Sequence, residues 1–448
     1  MRSVHPRRVS LLAAALFVTG FSACTPPSLA TGAPAATVPN PALPDSVLVR
    51  ADIEVLASSE FEGRLTGTRG NDSAAAYLGR RYASLRLAPA STITGPCGTG
   101  CPDAYLRPII VNVAVRGGPP ERLHSNNVAG IVRGTDPVLR DEFVVIGAHF
   151  DHLGRSTDGA MDPEARDAIR NGADDNASGS AAVLALARRF ARTPAKRSIL
   201  VTHFSGEEQG LLGSARFVQD PPVPLAKMVA MLNFDMVGRL RDDKVIVYGI
   251  GTAAEMKALV ESAAAGTGLK LSLVPDGTGP SDHSSFYLRD MPVLHFFTDV
   301  HPDYHRATDD ADKVNIAGEV RVIDLAERAL RDIANRPARL TFTKVTTATR
   351  TASGPGGGAY FGSIPDMGSA GVEGMLLSGV SAGGPAEKAG IKGGDLIVEF
   401  GGKKIKDIYD YTDAIGAYKP NDVVAVVVLR GPSRERHTIS VTLGRRGG

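Results

Sequence analysis

The pair Glu207-Glu208 constrains this chain more than any other feature. It is set in Ser205-Gly206-Glu207-Glu208-Gln209-Gly210, directly after the apolar run Ile199-Leu200-Val201. Adjacent carboxylates repel each other, and bringing them together is costly unless a cation or a shared proton resolves the conflict. Other hard-metal ligands in the chain also follow apolar runs: His149, Asp175, Asp235 and, further on, His305. Together these residues suggest a two-metal hydrolytic site with its general base attached.

The spacing of the apolar runs predicts the scaffold. Short β-branched runs stand at 143–146, 198–201, 228–232 and 292–296. Between them lie Ala-, Leu- and Arg-rich stretches such as Ser180 to Thr193 and Ala253 to Ala265, which read as amphipathic helices. Buried strands alternating with helices imply an α/β fold, a mostly parallel mixed sheet with helices on both faces. In such sheets the site lies outside the carboxyl ends of the strands. His149, Glu207, Glu208 and Asp235 all fall there.

A chain of 448 residues calls for two to three domains, and a hydrophobic content of 43% is ample for a packed core. The net charge of +2, the lack of a basic run in the body of the chain and the scarcity of aromatics argue against nucleic acid as a partner. Residues 1–24 read as a signal peptide: Arg2, Arg7 and Arg8 precede a short apolar stretch, Leu11 to Phe21, too short to span a bilayer. Phe21-Ser22-Ala23-Cys24 resembles a bacterial lipobox with Cys24 lipidated. Phe21 departs from the usual aliphatic residue, and ordinary signal-peptidase cleavage nearby is the other reading. The expected location is therefore the periplasm or cell envelope, lipid-anchored at the outer membrane, or the secreted fraction, with a lipid anchor as the sole tie to a membrane. Residues 25–45 are Pro-, Ala- and Thr-rich and read as a tether. In an exported protein Cys97 and Cys101 read first as a disulfide closing a small loop, and otherwise as half of a metal site. A first globular unit runs over 46–338, a Gly-, Ser- and Thr-rich linker over 339–358 and a second globular unit over 359–446.

Taken singly, each candidate ligand has an ordinary reading. His149 also reads as a surface residue at a strand end, and Asp174-Asp175 as solvated or capping acids. Asp235 ends an apolar strand, where an unpaired charge is expensive. The joint pattern is stronger. Hard oxygen and imidazole donors without thiolates suit Zn²⁺, or less often Mn²⁺ or Co²⁺. Five protein ligands are too many for one open catalytic zinc and suit two that share a carboxylate.

The segments Gly-Ala-His-Phe-Asp at 147–151, Gly-Ala-Asp-Asp-Asn-Ala-Ser-Gly at 172–179 and Ser-Gly-Glu-Glu-Gln-Gly-Leu-Leu-Gly-Ser at 205–214 closely resemble the family-28 metallopeptidases, typified by secreted bacterial leucyl aminopeptidases. Asn-Phe-Asp-Met-Val-Gly at 233–238, Ser-Asp-His at 281–283 and Tyr-His-Arg-Ala-Thr-Asp at 304–309 complete the set, and Phe61 to Gly67 is similar to the family's N-terminal portion. The resemblance implies the zinc-peptidase (phosphorylase/hydrolase-like) fold and two Zn²⁺. One would be held by His149 and Asp235, the other by Glu208 and His305, with Asp175 bridging and a cis peptide at Asp175–Asn176. It implies Glu207 as general base to a metal-bridging water, Asp151 orienting His149, and Tyr304 stabilising the oxyanion. Asp282 would steady the ligands from behind, or cap the helix that starts at Ser284. The implied reaction is removal of N-terminal residues from peptides. A carboxypeptidase or dipeptidase, a single-zinc glutaminyl cyclase and a non-catalytic scaffold are the competing readings.

The stretch Gly383 to Ile397 and the turn Gly401-Gly402-Lys403-Lys404-Ile405 resemble the PDZ domains of bacterial exported proteases. The implied carboxylate-binding loop spans Ala359 to Ser363, with Tyr360, Phe361 and Gly362 at its centre. Its ligand would be an extended C-terminal peptide. The other reading is a small β-rich unit that packs without binding peptide.

Overall fold

A computed structural model of the chain describes residue 1 and residues 43–90, 101–113, 121–345, 359–365, 373–380, 383–406, 408–431 and 433–445. Cys24, Cys97, nearly all of the expected signal segment and tether, and positions 346–358 of the expected linker lie outside the described residues.

Among the described residues the first unit has nine strands: β1 (Ala88–Pro89), β2 (Leu106–Val113), β3 (Glu121–Val132), β4 (Phe143–His149), β5 (Ser198–Phe204), β6 (Met228–Phe234), β7 (Lys244–Tyr248), β8 (Lys270–Val274) and β9 (Val293–Phe297). They form one mixed sheet in the order β1-β3-β5-β4-β6-β9-β7-β8, with β2 paired to β3. The centre, β5-β4-β6-β9, is parallel. β3 joins β5, and β7 joins β9, antiparallel. Its α-helices among the described residues are α1 (Asp45–Leu56), α2 (Arg69–Ser84), α3 (Gly179–Arg192), α4 (Leu212–Gln219), α5 (Met256–Ala264), α6 (His283–Tyr287) and α7 (Ile316–Asn335).

Side-chain alternation along the strands fills two cores. Val144, Ile146, Ala148, Ile199 and Val201 point to the side covered by α1, α2, α3, α5 and α7. Phe143, Val145, Leu200, Phe204 and Met231 point to the side covered by α4 and α6, through Phe217 and Phe286. The chain leaves β4 through α3 to reach β5, then turns back through α4 to reach β6 on the far side of β4. Parallel crossovers are right-handed, so opposite directions of travel place α3 and α4 on opposite faces. The reversal opens a crevice at the carboxyl end of β4, the place where doubly wound sheets bind ligands.

Two expectations about the edges of this unit change. Residues 43–45, expected in the tether, are docked on α3: Leu43 O accepts from Arg188 Nη1 at 3.0 Å, and Asp45 pairs with Arg188 and Arg189. Residues 339–345, expected in the linker, also belong to the packed unit. Thr341 N donates to Glu255 Oε2 at 3.0 Å, Thr343 N to Thr252 O at 2.9 Å and Val345 N to Tyr287 Oη at 2.9 Å. Composition marks flexible sequence but does not register these individual hydrogen bonds. Among the described residues no helix is long and apolar enough to cross a membrane.

One buried group makes the unit's stability depend on pH. Glu319 on α7 is fully buried, and neither carboxylate oxygen finds a hydrogen-bond partner among the described residues. Burial, with Asp174 and Asp52 adding repulsion, raises its pKa well above the ordinary glutamate range. A raised carboxyl pKa favours the protonated folded state. That contribution is complete below the unfolded-state pKa and is lost as pH rises through the folded-state value. Glu319→Gln should therefore raise the melting temperature at pH 8 more than at pH 5. An equal shift at both pH values would show that Glu319 ionises freely in the folded protein.

The second unit is β-rich. It comprises β10 (Ala359–Tyr360), β11 (Ser363–Pro365), β12 (Met375–Val380), α8 (Pro385–Lys388), β13 (Leu396–Phe400), β14 (Lys403–Lys404), α9 (Ile408–Gly416), β15 (Val423–Arg430), β16 (Glu435–Thr442) and β17 (Gly444–Arg445). Strands run β11-β12-β13-β15-β16, and β10 pairs with β17. Phe361, Phe400, Tyr411, Val426 and Val428 lie in its core.

Candidate metal centre

The crevice gathers the expected ligands from five segments. His149 is the last residue of β4, Glu207 and Glu208 follow β5, Asp235 follows β6, and Asp175 lies in the loop before α3. His305, at φ 53°, comes from the loop between β9 and α7. The Asp175–Asn176 peptide bond is cis.

Asp175 joins two groups of donors. Its Oδ1 is 3.4 Å from His149 Nε2, which is 3.3 Å from Asp235 Oδ1. Its Oδ2 is 3.1 Å from His305 Nε2, which is 3.2 Å from Glu208 Oε2. A tetrahedral zinc with bonds of about 2.0–2.1 Å sets its ligand atoms roughly 3.3 Å apart. The four spacings fit that value, one group on each oxygen of the shared carboxylate.

The tautomers point the same way. His149 Nδ1 faces the backbone carbonyl of Asp151 at 3.2 Å, and His305 Nδ1 faces that of Gly159 at 2.9 Å. A carbonyl only accepts, so Nδ1–H donates and a neutral ring presents the lone pair of Nε2. Each Nε2 then confronts two carboxylate oxygens, an arrangement that requires positive charge between them. Burial opposes charging of His149, but Asp235 and Glu207 outweigh it and hold its pKa well above the usual imidazole value. Burial likewise opposes charging of His305, and Glu208 and Asp175 outweigh it. The donors thus fit divalent ions, which would release protons on binding.

The adjacent glutamates are driven apart. Burial, with Glu208, Asp235 and Asp282 adding to it against an opposing pull from His149, raises the Glu207 pKa well above the ordinary value. Burial also opposes ionisation of Glu208, but His305 and His152 reverse the balance and hold it at about 2. Neighbouring titratable groups pushed in opposite directions mark separate acid–base roles. Glu208 is suited to coordinate, and Glu207 to hold and release a proton. For Asp175, burial is outweighed by His152, His149 and His305, which hold its pKa well below the usual range.

Asp151 meets His149 differently from the expectation. Its carboxylate is 3.7 Å from His149 Nδ1, too far for a hydrogen bond, and the backbone carbonyl makes that contact instead. The carboxylate accepts from Glu207 N and from Thr66 Oγ1, each at 3.2 Å. It therefore fixes the backbone of Glu207. Asp282 is fully buried, and burial raises its pKa to about 7 against the pull of His149. It makes no side-chain cap to α6, so the capping alternative fails. Ser281, one residue earlier, donates to Asp235 Oδ2 at 2.7 Å. The Tyr304 ring stacks on that of His305 with centroids 3.9 Å apart. Burial, then Asp175 and Glu208, raise its pKa well above that of a free phenol, so its O–H remains a donor.

Several supporting residues escaped the sequence reading. Asn176 donates to Phe234 O at 2.9 Å and accepts from Gly179 N at 2.8 Å, tying the Asp175 loop to the end of β6. Asp309 Oδ2 accepts from the backbone of Asp174 at 2.9 Å and of Asp175 at 3.0 Å. Buried Arg64 donates to the carbonyls of Leu56, Phe150, Asn171 and Gly172, clamping the exit of β4 to the same loop. Burial lowers its pKa to about 10, against Asp151 and Asp175. His152 lies against Glu208. Asn176 and Asp309 fall inside the quoted motifs and Arg64 inside the early segment, so their positions were visible though their bonds were not.

Elsewhere, Cys101 is disulfide-bonded, while its expected partner Cys97 lies outside the described residues. In the second unit Tyr360 pairs with Gly444, and Gly362 has φ 81°. The Phe361 side chain is buried against Phe400 and Tyr411, which leaves only its backbone for a ligand.

Residues 127–329 match the profile of peptidase family M28, and residues 359–443 that of the PDZ domain. A probable zinc metalloprotease of Pyrenophora teres f. teres is 34% identical over 156 residues, 34% of this chain and 31% of that protein. A probable leucine aminopeptidase of Arthroderma benhamiae is 29% identical over 221 residues, 46% of this chain and 56% of that one. The chain thus spans about a third to somewhat over half the length of these curated relatives. A zinc aminopeptidase from Bacillus subtilis shares the fold, with a TM-score of 0.52 at 16% identity over 68% of this chain and 98% of that chain. So does a glutaminyl cyclase from Bacteroides thetaiotaomicron, with a TM-score of 0.52 at 17% identity over 66% and 99%. Residues 127–329 thus form a domain of peptidase family M28, and residues 359–443 a PDZ domain.

Proposed function

We propose that this chain is an exported metalloaminopeptidase with two zinc ions, one held by His149, Asp235 and Asp175 and the other by His305, Glu208 and Asp175. The observation that carries the reading is the pair of imidazole–carboxylate groups on opposite oxygens of Asp175. When bound, the ions would acidify water and polarise the scissile carbonyl. Glu207 in its carboxylate form, made more basic by its surroundings, takes a proton from the attacking water and returns it to the leaving amine. The Tyr304 hydroxyl donates to the developing oxyanion. Asp151 holds the Glu207 backbone in place.

Paired aminoacyl-p-nitroanilides, free and N-acetylated, test the reaction. Turnover of the free amines alone is expected. Turnover of the blocked substrates would favour an endo- or carboxypeptidase, and cyclisation of N-terminal glutamine would favour the cyclase reading.

The PDZ domain would capture C-terminal peptide ends and raise local substrate concentration near the site. Peptides that differ only in a free or amidated C-terminus test this: equal KM values would exclude capture. Export rests on the charged and apolar N-terminal segment. N-terminal analysis of the mature protein separates a lipidated Cys24 from a free new terminus, and an intact Met1 would contradict export.

A further inference from the structure

His152 is fully buried beside the His305 half of the centre. Its Nδ1 is 2.6 Å from Glu208 Oε1 and 3.8 Å from Asp175 Oδ2. The shorter distance is that of a hydrogen bond. Two ligands of one zinc ion would stand roughly 3.3 Å apart. His152 therefore donates to Glu208 instead of sharing an ion with it. Glu208 is left with Oε2 toward His305 Nε2, at 3.2 Å.

The position is built for this ring. Gly172 has φ +58°, and a Cβ there would come within 2.5 Å of His152 Cγ and Cδ2 and 2.0 Å of Asp175 O. The ring also stands edge-on to His305, with centroids 5.6 Å apart at 73°. Its Nε2 is buried and finds no hydrogen-bond partner among the described residues, so Glu208 is what orients it. The other half of the centre is restrained by a different residue, Ser281, through Asp235 Oδ2.

We propose that His152 is a positioning residue: it confines Glu208 to one oxygen and thereby sets the affinity of the His305 half for its ion, leaving the His149 half independent. The inference rests on the two-ion reading above. Loss of such a partner typically weakens metal binding about 10–100-fold.

The test uses the full chain, stripped of metal and titrated with zinc against a chromophoric chelator. Wild type, H152F and H152N are compared, with Co²⁺ absorption as a second readout. H152F keeps a ring and loses the donor. H152N carries an amide N–H near the place of Nδ1. Two tight ions are expected for wild type. H152F should hold one ion with unchanged affinity and the other about 10–100-fold more weakly. H152N should recover most of that loss. Both ions bound at wild-type affinity by H152F would overturn the inference, as would equal loss in H152F and H152N. If H152F does not fold, H152Q, whose amide sits near the place of Nε2, repeats the comparison with H152N. A wild-type protein that binds fewer than two ions would instead overturn the two-ion reading itself.

Discussion

Glu207→Gln is expected to retain both zinc ions and to lose roughly 10²–10⁴-fold in kcat, the usual contribution of a positioned general base. The substitution keeps the size of the side chain and removes its ability to take a proton. Glu207 lies close enough to His149 and Asp235 to be a donor itself, yet it is placed differently from Glu208. Glu208 is held ionised by His305 and His152, whereas Glu207 is pushed toward its protonated form by burial and by the carboxylates around it. A group with that bias suits proton transfer better than permanent coordination. Zinc content and turnover measured on one sample separate the roles. A variant that loses metal in parallel with activity would make Glu207 a ligand, and a variant with wild-type turnover would remove it from the reaction.

Asp175→Ala should have the larger effect on metal. Each Asp175 oxygen serves one group of donors, so its loss takes one ligand from both halves together. Binding should weaken by more than the about 10–100-fold that loss of an outer partner costs, and in both halves. The fold should survive, because Asn176 and Asp309 hold the loop through contacts that do not use the Asp175 side chain. Circular dichroism and zinc titration would check the pair of expectations. Retention of one tight ion would show that Asp175 serves one half alone.

These two residues also show what the sequence made legible. The ligands were readable because each ends a buried strand or lies in a distinctive loop, and because few chemistries need that set of donors. The central strands were readable from their continuous apolar runs. The antiparallel flank was not: β3 begins with the largely exposed run Glu121 to His124, which lacks the signature of a buried strand. Arg64 could not be read either, since its function lies in carbonyls up to 108 positions away. The carboxylate of Asp151 turned to Glu207 instead of His149, a difference that spacing along one strand end cannot reveal. His152 stood beside the quoted motif, but only its 2.6 Å approach to Glu208 separates it from an ordinary buried histidine.

Anomalous diffraction at the zinc edge, from crystals of the zinc-loaded protein, tests the central claim most directly. The account predicts two peaks, one enclosed by His149, Asp235 and Asp175 and the other by His305, Glu208 and Asp175, each against a different Asp175 oxygen. A single peak, or two that do not share Asp175, would contradict it.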